Sequence, residues 1–154
     1  MQSLPMDRES LAVLAEYGLG EARLSGCHLR RYEAGEAMVR QDEAMDALLF
    51  VRSGRAKVCI NARNGRHLII CYYISDGVLG DVELLTEAQA MDTVTALSQV
   101  DCVAVPMERN REVLLGCLPF VLRMGQEVSG KLKYSSHAHT VSALYTSEER
   151  LCSY

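Results

Sequence analysis

The sequence predicts a mainly β fold with flanking helices: an antiparallel β-barrel or double-stranded β-helix of jelly-roll type, followed by a long C-terminal helix. Three observations lead there. Between about Cys27 and Met107, short apolar or alternating runs recur between turn residues, the pattern of antiparallel strands. Asn64-Gly65 separates two of those runs and is a strong hairpin signal. From Pro119 to about Ala143 the chain reads as helix, with proline in the first turn, where its missing N–H costs nothing.

Each element follows in order. From about Asp7 to Ser25, Leu11, Leu14, Ala15 and Tyr17 repeat at helical spacing, and Gly18 and Gly20 punctuate the end. Cys27 to Tyr32 alternates, Glu33-Ala34-Gly35-Glu36 is a turn, and Ala37 to Arg40 resumes a strand. Leu48 to Val51, Ala56 to Ile60 and His67 to Ile74 are further strands. Thr93 to Leu97 and Asp101 to Pro106 complete the set. Glu108 to Leu115 reads as a short helix ending near Gly116, before the long one. On the long helix, Val121, Val128, Leu132, Ser135, His139 and Ser142 form a stripe with Gly125 inside it. Few of these side chains are large, which suits close packing on a twin helix or on the barrel itself. Thr146-Ser147-Glu148-Glu149 is a capping box that opens another helix.

Composition narrows the function. A chain of 154 residues suits one domain plus an appendage. Although 49% of it is apolar, no run reaches eighteen residues, so no membrane span is expected. The N-terminus lacks the basic-then-apolar order of a secretory signal, and the reading is a cytoplasmic protein. A net charge of −4 without any block of basic residues argues against nucleic-acid binding by these residues. Arg30, Arg31, Arg52, Arg55, Arg63 and Arg66 read as solvated faces. The six cysteines, at 27, 59, 71, 102, 117 and 152, include no Cys-x-x-Cys pair and read as mostly buried reduced thiols. Cys27 and Cys152, near zone edges, are expected to be the most accessible. No cofactor and no metal site is expected. His137 and His139 stand two apart on a helix, so their rings diverge.

The stretch Gly77-Val78-Leu79-Gly80-Asp81-Val82-Glu83-Leu84-Leu85 carries the most chemistry. It combines a strand, a glycine turn, an acid and a short helix. Such a turn frees backbone N–H groups for a phosphate, and the helix start adds partial positive charge. Other motifs stand around it in order: Tyr32-Glu33-Ala34-Gly35-Glu36, Leu49 to Val58, Asn64-Gly65-Arg66, Leu118-Pro119, and Glu148-Glu149-Arg150-Leu151. Together they resemble the Crp/Fnr superfamily of bacterial transcription regulators over about Cys27 to Leu151. The resemblance implies a cyclic-nucleotide-binding-like sensor domain at 1–116 and a dimerisation helix at 117–145. It further implies the start of a hinge helix at 146–154, leading to a DNA-binding domain beyond the chain. The partners implied are a second copy, a small-molecule effector, and DNA only through that further domain. The helix stripe Val121, Gly125, Val128, Leu132 and Ser135 would form the dimer contact.

Carried over residue by residue, Gly80 matches the cassette glycine and Asp81 the acid that holds a ribose hydroxyl, one methylene short of the usual glutamate. Val82 matches the residue whose N–H helps cradle the phosphate. Met91 stands where the phosphate-binding arginine belongs and Asp92 where a serine or threonine hydroxyl belongs. Thr93 offers a hydroxyl one place late. Ser136 and His137 match helix positions that reach the purine. Losing one partner of a buried ion pair costs roughly 3–5 kcal/mol, or two to four orders of magnitude in affinity. If Asp92 faces the same space, it adds like-charge repulsion. The expectation is therefore a sensor that binds neither cyclic AMP nor cyclic GMP usefully. Asp81 either holds a ligand hydroxyl or caps the short helix, and Glu83 reads as an exposed first-turn acid. The alternatives are a genuine cyclic-nucleotide-binding module that regulates a partner protein, and a thiol or redox sensor. An enzyme is not expected: no Ser–His–acid grouping is visible, and His28, His67 and Glu33 do not converge at metal-site spacing.

Overall fold

The computed structural model describes residues 1–20, 22–61 and 67–144. Nine strands and four helices follow in chain order: β1 (Gln2–Leu4), α1 (Arg8–Glu16), β2 (His28–Tyr32), β3 (Ala37–Val39), β4 (Ala47–Ser53), β5 (Ala56–Asn61), β6 (His67–Ile74), β7 (Val78–Leu79), α2 (Asp81–Thr86), β8 (Thr93–Ala96), β9 (Val100–Pro106), α3 (Met107–Gly116) and α4 (Leu118–Leu144). Among the described residues, no helix is long and apolar enough to cross a membrane.

The strands form two antiparallel sheets, ordered β1-β2-β9-β4-β7 and β3-β8-β5-β6. This is the expected β-rich fold with flanking helices, but the barrel is not closed. Of the four edge strands, β1, β3 and β7 are only two or three residues long and β6 has eight, and among the described residues none carries a ladder from one sheet to the other. β4 and β9 lie inside the larger sheet and are covered on both faces, which explains their unbroken apolar runs. Ala47, Leu49 and Val51, with Val100, Cys102 and Ala104, face the second sheet, where Val58, Val94 and Ala96 meet them. Leu48 and Phe50, with Val103 and Val105, face the helices, where Leu14, Leu114, Phe120 and Met124 meet them. Period-two alternation thus gives one strand two cores.

The first helix is shorter than expected. Asp7 caps it by accepting from the Ser10 N–H at 2.8 Å, and the chain leaves the helix near Tyr17 and Gly18. β1 had no signature of its own; it adds to the edge of β2 from Gln2↔Arg31 to Leu4↔Leu29. Asn64-Gly65 lies outside the described residues, but the strands around it pair, with Asn61 opposite His67. The capping box at 146–149 and the whole 146–154 segment also lie outside them.

Three of the arginines expected on solvated faces are paired, whereas Arg55 is exposed and positions 63 and 66 lie outside the described residues. Arg30 makes a two-pronged contact with Asp46, Arg31 another with Asp101, and Arg52 reaches Asp7 at 2.7 Å. These cations are spent on the chain's own carboxylates.

Candidate functional site

The site begins at Gly80. Its φ of 92° lies in the left-handed region, and an added Cβ would sit 2.6 Å from Met107 Cε. Glycine is favoured there by backbone conformation, while the atoms nearest the added Cβ are the flexible ends of Met107 and Met45. The turn delivers α2, whose first residue is Asp81. Gly80 is the N-cap and no side chain caps the helix. The capping role considered for Asp81 is therefore not the one it has.

Asp81 is instead buried, at 3% exposure, and both its carboxylate oxygens accept from Lys131 Nζ at 2.8 Å. The same ammonium donates to the Val78 carbonyl, also at 2.8 Å. Lys131 comes from α4, fifty residues along the chain. At the other end of α2, Arg111 of α3 donates to the Leu84 carbonyl and pairs with Glu87 at 2.7 Å. The short helix is thus held by a cation at each end. The C-terminal cation meets the carbonyl end of the helix, the favourable polarity.

Two more carboxylates bear on this spot. Burial raises the Asp92 carboxyl above the ordinary range; Lys131 opposes that shift and Asp81 adds to it. Burial also raises Glu83, with further upward contributions from Asp92 and Asp81. Glu83 is half-buried, not the exposed acid that its first-turn position suggested. Three carboxylates therefore share one ammonium, which is already committed to Asp81.

The remaining predicted residues divide. Val82 stands half-buried in the first turn of α2. Met91 is 67% exposed and places a thioether where a cation was sought. Thr93 opens β8, and its hydroxyl oxygen accepts from the Gln41 N–H at 3.1 Å. Ser135, Ser136 and His137 fall on α4, but their side chains lie outside the described residues. The helix stripe is split. Val121 packs on the helical core and Val128 is half-buried, because Phe120 and Met124 anchor that side of α4 to the sheet. Leu118, Leu122, Gly125, Ser129 and Leu132 face out, with Leu118 and Leu132 each 66% exposed.

Sequence reasoning missed Lys131 and Arg111. A signal for Lys131 existed: it lies seven residues past Met124, two helical turns on the anchored side. The expected accessibility of Cys27 is reduced, since it is partly buried and burial raises its thiol. Burial pushes Cys102 up to about 12, which makes it a poor thiolate. Cys152 and the side chain of Cys71 lie outside the described residues.

The chain matches the family described as cyclic nucleotide-binding domain over residues 29–116, and it belongs to that family. Among known proteins, it is 25% identical over 103 residues to regulatory protein YeiL of Escherichia coli, covering 67% of this chain and 47% of that one. It is 35% identical over 74 residues to the neuropathy target esterase sws of Drosophila grimshawi, covering 48% of this chain but 5% of the esterase. The chain thus spans less than half the length of either relative. Among solved structures, it resembles CLP, the c-di-GMP responsive global regulator of Xanthomonas campestris, with a TM-score of 0.68 at 21% identity, over 87% of this chain and 66% of that one. It also resembles the catabolite activator protein of Thermus thermophilus, with a TM-score of 0.66 at 14% identity, over 90% and 61%. A third similar fold is the regulatory subunit of a cAMP-independent protein kinase A from Trypanosoma brucei, solved as a triple mutant bound to cAMP. That match has a TM-score of 0.62 at 14% identity, over 82% and 49%. The fold is that of a cyclic nucleotide-binding domain, and bacterial regulators are among the solved structures it resembles.

Proposed function

We propose that these residues are the effector-sensing and dimerisation part of a Crp/Fnr-type transcription regulator, and that the site takes neither cyclic AMP nor cyclic GMP. The observation that carries the reading is the charge of the cassette. Asp81, Glu83 and Asp92 outnumber Lys131, and Lys131 is already bonded to Asp81 and the Val78 carbonyl. A cyclic phosphate would enter a field of its own sign, and the cation bonded at the cassette, Lys131, is already committed to Asp81 and the Val78 carbonyl. An uncharged or cationic effector meets no such barrier. The similarity to YeiL and to the two bacterial regulators supports the regulatory class.

The outward row Leu118, Leu122, Gly125, Ser129 and Leu132 repeats at steps of four and three, the spacing of a helix-pair seam. We assign this row, in place of Val121 and Val128, to contact with a second copy. DNA would be bound by a separate domain, since this one has a net charge of −4 and no block of basic residues. Titration calorimetry with cyclic AMP and cyclic GMP tests the ligand reading. No heat of binding is expected at micromolar concentrations, and a micromolar Kd for either nucleotide overturns it. A thermal-shift screen of small metabolites would reveal the effector, because binding to the native state raises Tm.

A further inference from the structure

We propose that Lys131 is a built-in latch that holds α4 on the cassette with no small molecule present. The arrangement of α4 is then set from within the chain and shifts when the Lys131–Asp81 pair opens. The inference deepens the reading of the site given above, but the latch itself can be measured without reference to any ligand.

Three observations support it. First, the contact is complete. One ammonium has three donors, and it makes three 2.8 Å contacts, to both oxygens of Asp81 and to the Val78 carbonyl. Second, Asp81 cannot readily change partner. It is buried on the short helix α2, and Arg111 fixes the far end of that helix through Leu84 and Glu87. An unpaired carboxylate there is strongly unfavourable, so the cassette itself favours the docked position of α4. Third, the latch is the outermost hold on the helix among the described side chains. Phe120 and Met124 root the start of α4 in the core, whereas Leu132 and Lys133 beyond Lys131 are exposed. Gly125 and Gly130 lie on either side of the stretch between root and latch and weaken the helix locally. Opening the pair therefore releases the outer half of α4 and leaves its root in place.

Lys131→Met keeps the length of the side chain and removes the charge, and Asp81→Asn removes the other partner. Amide hydrogen exchange on the 154-residue chain should show protection of α2 and of α4 beyond Gly125 falling at least tenfold in both variants. Protection in β4 and β9 should stay near the wild-type level, which also reports that the variants are folded. The charge-swapped double variant Asp81→Lys with Lys131→Asp should recover part of the protection. In Lys131→Ala, millimolar n-butylammonium should raise Tm more than n-butanol does, because only the ammonium replaces the missing donor. Unchanged protection in both single variants overturns the latch and leaves the reading that excludes cyclic nucleotides intact. Loss of protection spread evenly over β4 and β9, with no recovery in the swap and no preference for the ammonium, overturns it as well.

Discussion

At the scale of single residues, the site is governed by which charges lack a neutralising partner. Asp92 and Glu83 both have carboxyls raised above the ordinary value, first of all by burial. A carboxyl raised on folding binds more protons in the native state between its unfolded and folded values. Stability therefore increases as pH falls through that window and is lost as pH rises through it. Asp92→Asn should raise Tm at pH 7 by about 1–3 °C, and the gain over the wild type should shrink as melts are repeated toward pH 4. A Tm lowered at pH 7 would show that the attraction of Asp92 to Lys131 outweighs its burial. Asp101 has the opposite sign: its hydrogen bonds from Arg31 lower its carboxyl, so its contribution is present above the ordinary value and lost as pH falls through the folded one. Gly80 was legible in the sequence, because a glycine before an acid in this motif has one conformational use. Lys131 was not legible, because its role depends on where α4 lies in space, and lysine on a long helix is ordinarily solvated.

Among the elements, α4 carries two separable jobs. Its inner side is rooted by Phe120 and Met124 in the core, where Phe50 lies 6.4 Å from the Phe120 ring and Tyr17 lies 4.9 Å from Phe50. Phe120→Ala should cost about 3–5 kcal/mol of stability, read by urea denaturation, because the aromatic ring is wholly buried. The outer side does not hold up the fold. Leu122→Glu should leave the melt nearly unchanged and convert a dimer to a monomer by light scattering; a dimer that persists moves the interface off this row. The sequence disclosed the helix, but two members of its expected stripe, Val121 and Val128, are half-buried against the chain itself while Gly125 and Leu132 face out, because periodicity alone cannot tell which of two neighbouring stripes faces home. The strands were easier. β4 and β9 announce themselves as continuous apolar runs because both their faces are covered, whereas β1 has no pattern and exists because the edge of β2 is available. Barrel and open jelly roll were not separable in the sequence, since strand count and turn spacing do not report whether the edges meet.

Over the whole molecule, the question is whether the cassette has lost its phosphate chemistry or only hidden it. The scaffold is intact: Gly80 holds its left-handed φ, α2 follows, and Met45 and Met107 pack against the buried turn. What differs is charge. Met91→Arg alone adds one cation opposite three carboxylates, and it should yield no measurable binding of cyclic AMP. Combining it with Glu83→Ala and Asp92→Ala leaves Asp81 facing two cations, Lys131 and the new arginine. Such a site has the sign a phosphate requires. With that sign, the triple variant should bind cyclic AMP with a Kd on the order of micromolar, a binding free energy of about −8 kcal/mol at the 1 M standard state. Calorimetry on the single and triple variants decides the matter. Binding by the single variant would mean that the missing arginine was the whole defect. Failure of the triple, with the fold intact by its melt, would mean that Lys131 holds Asp81 too firmly for a ribose hydroxyl to compete.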